Sequence, residues 1–505
     1  MADVRDKEER DHRLEQPSLD FNQIRVGNQK LQNDVIAILQ DGIGCGFKKP
    51  FKQKDVYRAI SSHDLEELRR MSNIFFERSG IYSRLCRYMA YLYKYDWMIT
   101  PIRYDDKVKN EKVIEGWYKA SLRLENCHLK KEFGEIALKV VKNGCYYGLM
   151  VEQKDAVYLQ ELPVNYCRSR YELNGLPAIE FNMKFFDDSF RDAAYRLRVL
   201  KLFPKEIQKA YIAYKNGTLP KDYAGDTTGW FLLDPKKTVK FNLSSTDMPL
   251  FVSVIPAILD LEDAQDLDKK KMAQQLLRVI IQKVPLDKNF DLVFDMSEAQ
   301  QMHANAVNMV GNAVGVDVLT TFADVDCIDM SDKGNVSSVD QLDKVERTVY
   351  NEAGVSQMQF NTSGNLALEK SIANDESTMW DLVLQFEQYI ERVLEPFNKN
   401  KKRLIYRGAI LPTTVYNYKE LSGIYKEQTM IGFSKLMPQV ALGLSQTEII
   451  ANAVFENDIL HLEEVFTPPR MSSTMSSSDD EGGRPEKEDD QKSDETIRHI
   501  EEGSQ

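Results

Sequence analysis

The stretch Gly354-Val355-Ser356-Gln357-Met358-Gln359-Phe360-Asn361-Thr362-Ser363-Gly364-Asn365 is a polar segment bounded by glycines, between two strong helix signals. Upstream, Ser338 and Gln341 have the spacing of a capping box, and Gly354 is placed to end the helix that they begin. Downstream, apolar residues recur at steps of three and four from Leu368 to Phe397, which predicts an amphipathic helix of about 30 residues, or about 45 Å. A polar turn at Asn374–Glu376 interrupts this pattern. The sequence predicts a helix, a loop held out by its flanks, and a long helix.

Another helix is predicted from Pro256 to about Val284, because Pro256 lies near its start and Pro285 just past its end. Its middle, 262–271, is heavily charged, with the acidic half before the basic half. Two interpretations stay open: a solvated surface helix, or a helix packed against identical neighbours through its acidic and basic faces. Residues 285–334 then form an insert too small to bury much surface alone.

The composition is that of a folded, water-soluble protein with an acidic tail. Of 505 residues, 42% are hydrophobic and 29% charged, and the net charge is −12. Residues 471–505 hold eleven acidic and four basic side chains, which predicts disorder. Such an acidic chain is a poor candidate for tight nucleic-acid binding.

No signal peptide or membrane span is expected, so synthesis in a cytoplasm is predicted. The six cysteines are scattered without a CxxC pair, which favours buried free thiols over disulfides or a metal site. Strands are predicted at 146–151, 157–159, 179–185, 230–233, 238–243 and 403–406. Further helices are predicted at 29–39, 63–76, 80–95, 204–216, 421–436 and 445–462, the last opened by a Ser445–Glu448 capping box.

Catalytic signatures are missing from the sequence. Gly42 to Lys49 lacks the Walker spacing, and neither GxSxG nor HExxH occurs. The acidic residues from Asp324 to Asp332 lack the glycine and glutamate of a calcium loop. No catalytic, cofactor or metal site is expected.

The helix–loop–helix order resembles that of the portal proteins of tailed bacteriophages, the head-to-tail connector rings. Ala353 to Gln357 match an "AGVSQ"-like segment of that family, and Leu162 to Arg168 look like its wing motif. The resemblance covers residues 26–468. It implies an α+β portal fold with wing, helical stem, clip and crown, assembled as a ring.

The resemblance implies the following division of the chain: 1–25 a flexible arm, 26–247 the first part of the wing, 248–284 the first stem helix, 285–334 the clip, 335–353 the second stem helix, 354–365 the tunnel loop, 366–417 the long wing helix and closing strand, 418–468 the crown helices, and 469–505 the disordered acidic tail.

It also implies three sets of site residues. The tunnel loop would meet DNA through Gln357, Gln359, Asn361, Thr362, Ser363 and Asn365. The stem would line the channel with Lys269, Lys270, Lys271, Asp343 and Glu346. The clip would face terminase and adaptor proteins with Asp295, Glu298, Asp324 and Asp326.

The implied function is that of a virion protein at the portal vertex of the capsid, a ring of twelve copies without cofactor. Its partners would be the terminase large subunit, the major capsid and scaffolding proteins, head-completion and tail adaptor proteins, and the double-stranded DNA that passes through; no membrane is involved. The alternative from the residues alone is a nucleic-acid-processing enzyme with a site of scattered carboxylates, and a non-viral helical scaffold is a third interpretation.

Overall fold

A computed structural model of the chain describes residues 51–105, 107–152, 156–221, 228–276, 278–283, 297–298, 300–302, 304–305, 316–321, 338–356, 366–398 and 403–462. They fall into two units, one up to Gly443 and one from Leu444. The expected flexible arm, the acidic tail and the helix predicted at 29–39 lie outside the described residues.

Five helices form the first part of the chain: α1 Gln53–Ser62, α2 Leu65–Arg78, α3 Gly80–Ala90, α4 Asn110–Asn126 and α5 Leu129–Asn143. Asp64 begins α2, since its carboxylate accepts a hydrogen bond from the Glu67 amide at 3.2 Å. The prediction at 63–76 is confirmed. The helix predicted at 80–95 ends earlier, at Ala90, and α1, α4 and α5 have no counterpart among the predicted helices.

The strands form small sheets. Strand β2 (Cys145–Glu152) pairs antiparallel with β3 (Val157–Leu162) and β9 (Thr238–Asn242), so strands form at three of the predicted stretches. Strand β1 (Trp97–Arg103) pairs antiparallel with β12 (Leu404–Ile410), which closes the fold between distant parts of the chain. The α+β class is thereby confirmed.

A smaller lobe follows β3. Its strands are β4 Cys167–Arg168, β5 Glu172–Leu173, β6 Leu176–Pro177, β7 Glu180–Asn182 and β8 Trp230–Leu232, and its helices are α6 Lys184–Ser189, α7 Ala193–Leu200 and α8 Lys205–Lys215. An aromatic cluster of Phe181, Phe186, Phe203 and Tyr211 fills its core. The strand predicted at 179–185 is wrong beyond Asn182, because Phe185 and Phe186 enter this core from α6 and not from a strand.

Helices α9 (Ile255–Leu276), α10 (Ser338–Ala353) and α11 (Leu366–Leu394) follow, with β10 (Arg278–Lys283) and β11 (Val316–Thr321) between α9 and α10. The 29-residue α11 and the end of α10 before Gly354 confirm two predictions. The helix predicted to reach Val284 is wrong from Arg278 onward. Its β-branched run 279–281 forms a strand that pairs parallel with β11.

The chain ends its first unit with α12 (Tyr418–Met430) and α13 (Met437–Ala441), so the single helix predicted at 421–436 is wrong beyond Met430. Gly432, with φ 98°, turns the chain there. In the second unit, α14 (Gln446–Val454) begins with the predicted Ser445–Glu448 capping box and continues into one π-helical turn, Phe455–Ile459.

The main core joins α2, α3, α5 and α11 to the β2 sheet. Phe133 of α5 stacks on Phe386 of α11, with ring centroids 4.3 Å apart. The four described cysteines, Cys86, Cys127, Cys145 and Cys167, are free, as predicted, and all but Cys127 are buried. Within the described part of the chain, no helix combines the length and apolar composition needed to cross a bilayer.

Candidate channel elements

Helix α9 leaves the core after two turns. Its first residues are buried from Ile255 to Leu259 and at Leu261, with Asp260 exposed, while no residue from Glu262 to Lys270 is buried. The helix has 22 residues, so it extends about 33 Å from end to end. The helix therefore leaves the core of its own subunit at Glu262 and stays outside it at least as far as Lys270.

Helix α10 returns to the same core from the opposite direction. Its last turn is buried at Val349 and Tyr350, whereas Asp343 and Lys344 are exposed. The two helices lie against each other. Because α9 is anchored at its N-terminal end and α10 at its C-terminal end, the chain runs outward along one and back along the other.

Polar contacts hold the N-terminal end of α9 in the core. Arg78 of α2 and Glu262 form an ion pair of 2.8 Å, with both side chains about three-quarters buried. Gln53 of α1 donates to the Pro256 carbonyl at 3.4 Å and also contacts the Asp260 carboxylate. Residues that lie about 200 positions apart in sequence make these contacts, so no local pattern could have revealed them.

Gly354 ends α10 with a Schellman motif. Its φ is 69°, its amide donates to the Asn351 carbonyl, and the Val355 amide donates to the Tyr350 carbonyl at 3.2 Å. Val355 is 4% exposed and returns the chain to the core. The polar loop thus starts from a fixed point.

Helix α11 is held by side chains that bond to strand backbones. The Gln385 amide accepts from the Asn242 amide at 3.1 Å and donates to the Asn242 carbonyl at 2.8 Å. Glu387 accepts from the Ile410 amide at 2.8 Å, and Arg392 donates to the Thr238 carbonyl at 2.7 Å. The far end of the loop is therefore carried by a helix tied to β9 and β12.

The polar groups in the middle turn of α11 find hydrogen-bond partners within the same subunit. Tyr88 donates to the Asp375 carboxylate at 2.8 Å, and Tyr93 donates to the Glu376 carbonyl at 3.0 Å. Thr414 donates to the Glu376 carboxylate at 2.8 Å. Burial, with a smaller contribution from Glu376, raises the pKa of Tyr93 to about 12. The helix needs no kink there.

The predicted stem residues are placed on α9 and α10. Lys269 is exposed and lies 3.9 Å from Asp266, while Lys270 is half-buried. The pKa of Tyr350 is raised mainly by burial and secondly by the Glu346 carboxylate. Glu346 therefore lies close to Tyr350, near the C-terminal end of α10. The Lys271 side chain lies outside the described part.

Most other predicted site residues cannot be placed. Glu298 is exposed. The remaining ones lie outside the described residues: Gln357, Gln359, Asn361, Thr362, Ser363, Asn365, Asp295, Asp324 and Asp326.

The described ranges hold scattered metal-ligating side chains and a charged cavity. Among their His, Cys, Asp and Glu side chains, no group of three converges to hold a metal ion. A cavity of about 570 Å³ is lined by both signs of charge, among them Lys236, Arg392 and Glu395.

No family model matches the chain, and a search of the curated proteins finds no match.

Proposed function

We propose that this chain is the portal subunit of a tailed bacteriophage: a member of a ring, with twelve copies by resemblance, at the capsid vertex of the virion. One observation carries the proposal. In the helix pair α9–α10, which extends from the core, no residue from Glu262 to Lys270 is buried. This stretch includes the apolar side chain of Leu267, which is 58% exposed. Packing against like neighbours would cover this surface.

The elements on either side of the polar loop support a channel. The loop follows the C-terminal end of α10 and precedes α11 in sequence. Hydrogen bonds hold both helices to the core. Its sequence offers amides and hydroxyls, which form brief contacts with phosphates but do not hold them by charge. A ring of such loops would guide DNA without retaining it.

The same proposal assigns the partners. The region 285–334, which connects the two helices in sequence, would meet the terminase large subunit during packaging and adaptor proteins afterwards. Capsid and scaffolding proteins would surround the ring. Energy for packaging would come from the terminase.

Particle size tests the proposal most directly. With a chain mass of 58.2 kDa, twelve copies give a particle of about 700 kDa. We expect mass photometry to show this species and negative-stain microscopy to show a central hole, without nucleotide or DNA. Only monomers or dimers across salt and magnesium conditions would refute the ring and favour an enzyme or a scaffold.

A further inference from the structure

The second unit carries a helical segment that no described residue covers. Every residue from Ala451 to His461 is exposed. The segment nevertheless holds four large apolar side chains, Val454, Phe455, Ile459 and Leu460, which are 46%, 51%, 63% and 46% exposed. A short helix in water is marginal, and one that is apolar on several sides is normally buried. This helical segment, residues 451–460, therefore needs a partner.

The charge of the helical segment is purely acidic. From Gln446 to Leu462 the sequence holds three acidic residues and no lysine or arginine. Glu448 is engaged in the capping box, which leaves Glu456 and Asp458 in the segment itself. A surface that covers the segment should be apolar and cationic.

Exposed cations are concentrated in residues 191–209 of the first unit, which run from just before α7 into α8. These cations are Arg191, Arg198, Lys201, Lys205 and Lys209, and no described carboxylate lies within 4 Å of any of them. Nearby Arg196 and Lys215, in contrast, each lie 2.7 Å from Asp187. Residues 190–215 hold seven basic and two acidic side chains. We call the exposed side chains of residues 190–215 the cationic face.

The cationic face also exposes large apolar side chains. Tyr195, Leu197, Leu202 and Ile212 are 50%, 56%, 75% and 56% exposed. A nucleic-acid backbone would neutralise the cations but leave these side chains in water. An acidic helix with apolar side chains covers both kinds of group, and Tyr and Arg are common at the centre of protein interfaces.

We propose that the helical segment of one copy docks on the cationic face of the next copy. This inference rests on the proposed ring. The two surfaces differ, so the contact is heterologous, and each copy uses both its segment and its face. Segment-to-segment pairing is disfavoured, because it would bring Glu456 and Asp458 together with their own copies.

Charge reversal tests the contact. We choose Lys205→Glu with Lys209→Glu on the face, because both cations lack a carboxylate partner and Lys205 begins α8, where an acid suits the helix dipole. On the segment we choose Glu456→Lys with Asp458→Lys. Each double variant alone should weaken self-association about tenfold or more at low salt. Lys54→Glu with Lys109→Glu, exposed and at the starts of α1 and α4, is the matched control and should assemble normally.

Restoration makes the test specific. The chain that carries all four changes should regain assembly, because each reversed face again meets a reversed segment. A one-to-one mixture of the two double variants should also assemble, with the two chains alternating around the ring. Circular dichroism and unfolding midpoints should be unchanged in all variants.

The possible failures are distinct. If the fourfold variant assembles but the mixture does not, the contact lies within one chain and the proposal is wrong. If every variant assembles like the native chain, the ring stands and this contact does not. If the face variant instead loses affinity for a 30-base-pair duplex, measured by fluorescence anisotropy, while assembly is unchanged, the face binds nucleic acid. A native chain that forms no oligomer refutes both proposals.

Discussion

At the scale of single residues, buried Asp96 joins distant parts of the first unit. Its carboxylate, 1% exposed, accepts from Lys130 at 2.7 Å and from Thr413 at 2.9 Å, and the Lys94 ammonium lies 3.5 Å away. Lys94 also donates to the carbonyl of Ala441, the last residue of α13. Lys130 also donates to the carbonyl of Gly443, two residues beyond that helix. One carboxylate therefore orients two lysines that bond to the end of this helix.

Asp96→Asn should destabilise the protein by about 1.5–3 kcal/mol, because charge-assisted hydrogen bonds are lost in a buried place. A lower midpoint of urea unfolding, with an unchanged slope, would show this. Glu115→Gln breaks an exposed ion pair with Lys119 on α4 and should leave the unfolding midpoint unchanged. Equal losses in the two variants would mean that burial of Asp96 has no special effect.

The buried thiols should be unreactive in the native protein. Burial raises the pKa of Cys86 to about 12 and of Cys145 to about 11, and places that of Cys167 well above its usual value. Since the thiolate is the nucleophile, very little of Cys86 is in the reactive form at pH 8. In a variant with Cys45, Cys127 and Cys327 replaced by serine, Ellman's reagent should react rapidly only after urea is added. Rapid reaction in native buffer would contradict the burial.

At the scale of elements, Gly354 is required by its backbone conformation alone. Its φ is 69°, and a Cβ atom would meet nothing within 4 Å. Gly354→Ala should therefore cost about 1–2 kcal/mol in unfolding free energy. Gly423→Ala, inside α12 and equally open, should stabilise by about 0.5–1 kcal/mol. Opposite shifts of the urea midpoint would confirm the argument, and shifts of the same sign would refute it.

The exposed part of α9 should affect assembly more than folding. Leu267→Glu changes a residue that is 58% exposed, so the unfolding midpoint should stay within about 0.5 kcal/mol. Ring formation should weaken, because a charge replaces an apolar side chain at the proposed contact between neighbours. Gln265→Glu adds the same charge on the same exposed helix and is the control. Normal rings with Leu267→Glu in mass photometry would place the neighbours elsewhere.

Local signals predicted the elements best. The end of α10 at Gly354 and the length of α11 follow from residues close together in sequence. Strand β10 was missed because its apolar residues continue the pattern of α9 and its partner β11 lies far along the chain, although the β-branched run 279–281 was a usable signal. The ion pair of Arg78 with Glu262 joins residues 184 positions apart, so sequence reasoning could not find it.

At the scale of the whole molecule, the acidic tail should be dispensable for ring formation. Residues 471–505 carry eleven acidic and four basic side chains and few apolar ones, so they cannot form a core. Truncation after Arg470 should leave the ring intact in mass photometry. Assembly at low salt should even improve, because crowded like charges repel where screening is weak. Loss of rings would give the tail a structural role.

The last prediction concerns the channel of the assembled ring. If residues 357–365 line it, Gln359→Lys with Asn361→Lys in every copy would place on the order of two dozen positive charges around a passing duplex, and each neutralised phosphate would strengthen retention. Such rings should bind duplex DNA more tightly than native rings and lose more affinity as salt rises. The mutant should still assemble but slow packaging, with partial relief at higher salt.

A control variant distinguishes the effect of where the lysines lie from the effect of the added charge itself. Asn216→Lys with Gln439→Lys adds the same charge at exposed positions, at the C-cap of α8 and on α13, outside residues 354–365. Fluorescence anisotropy of a labelled duplex across a salt series would compare the two mutant rings. A steeper salt dependence in the loop variant alone fits a channel-lining loop. Equal behaviour of the two variants would make the loop an ordinary surface connection, because charge would then act wherever it is placed.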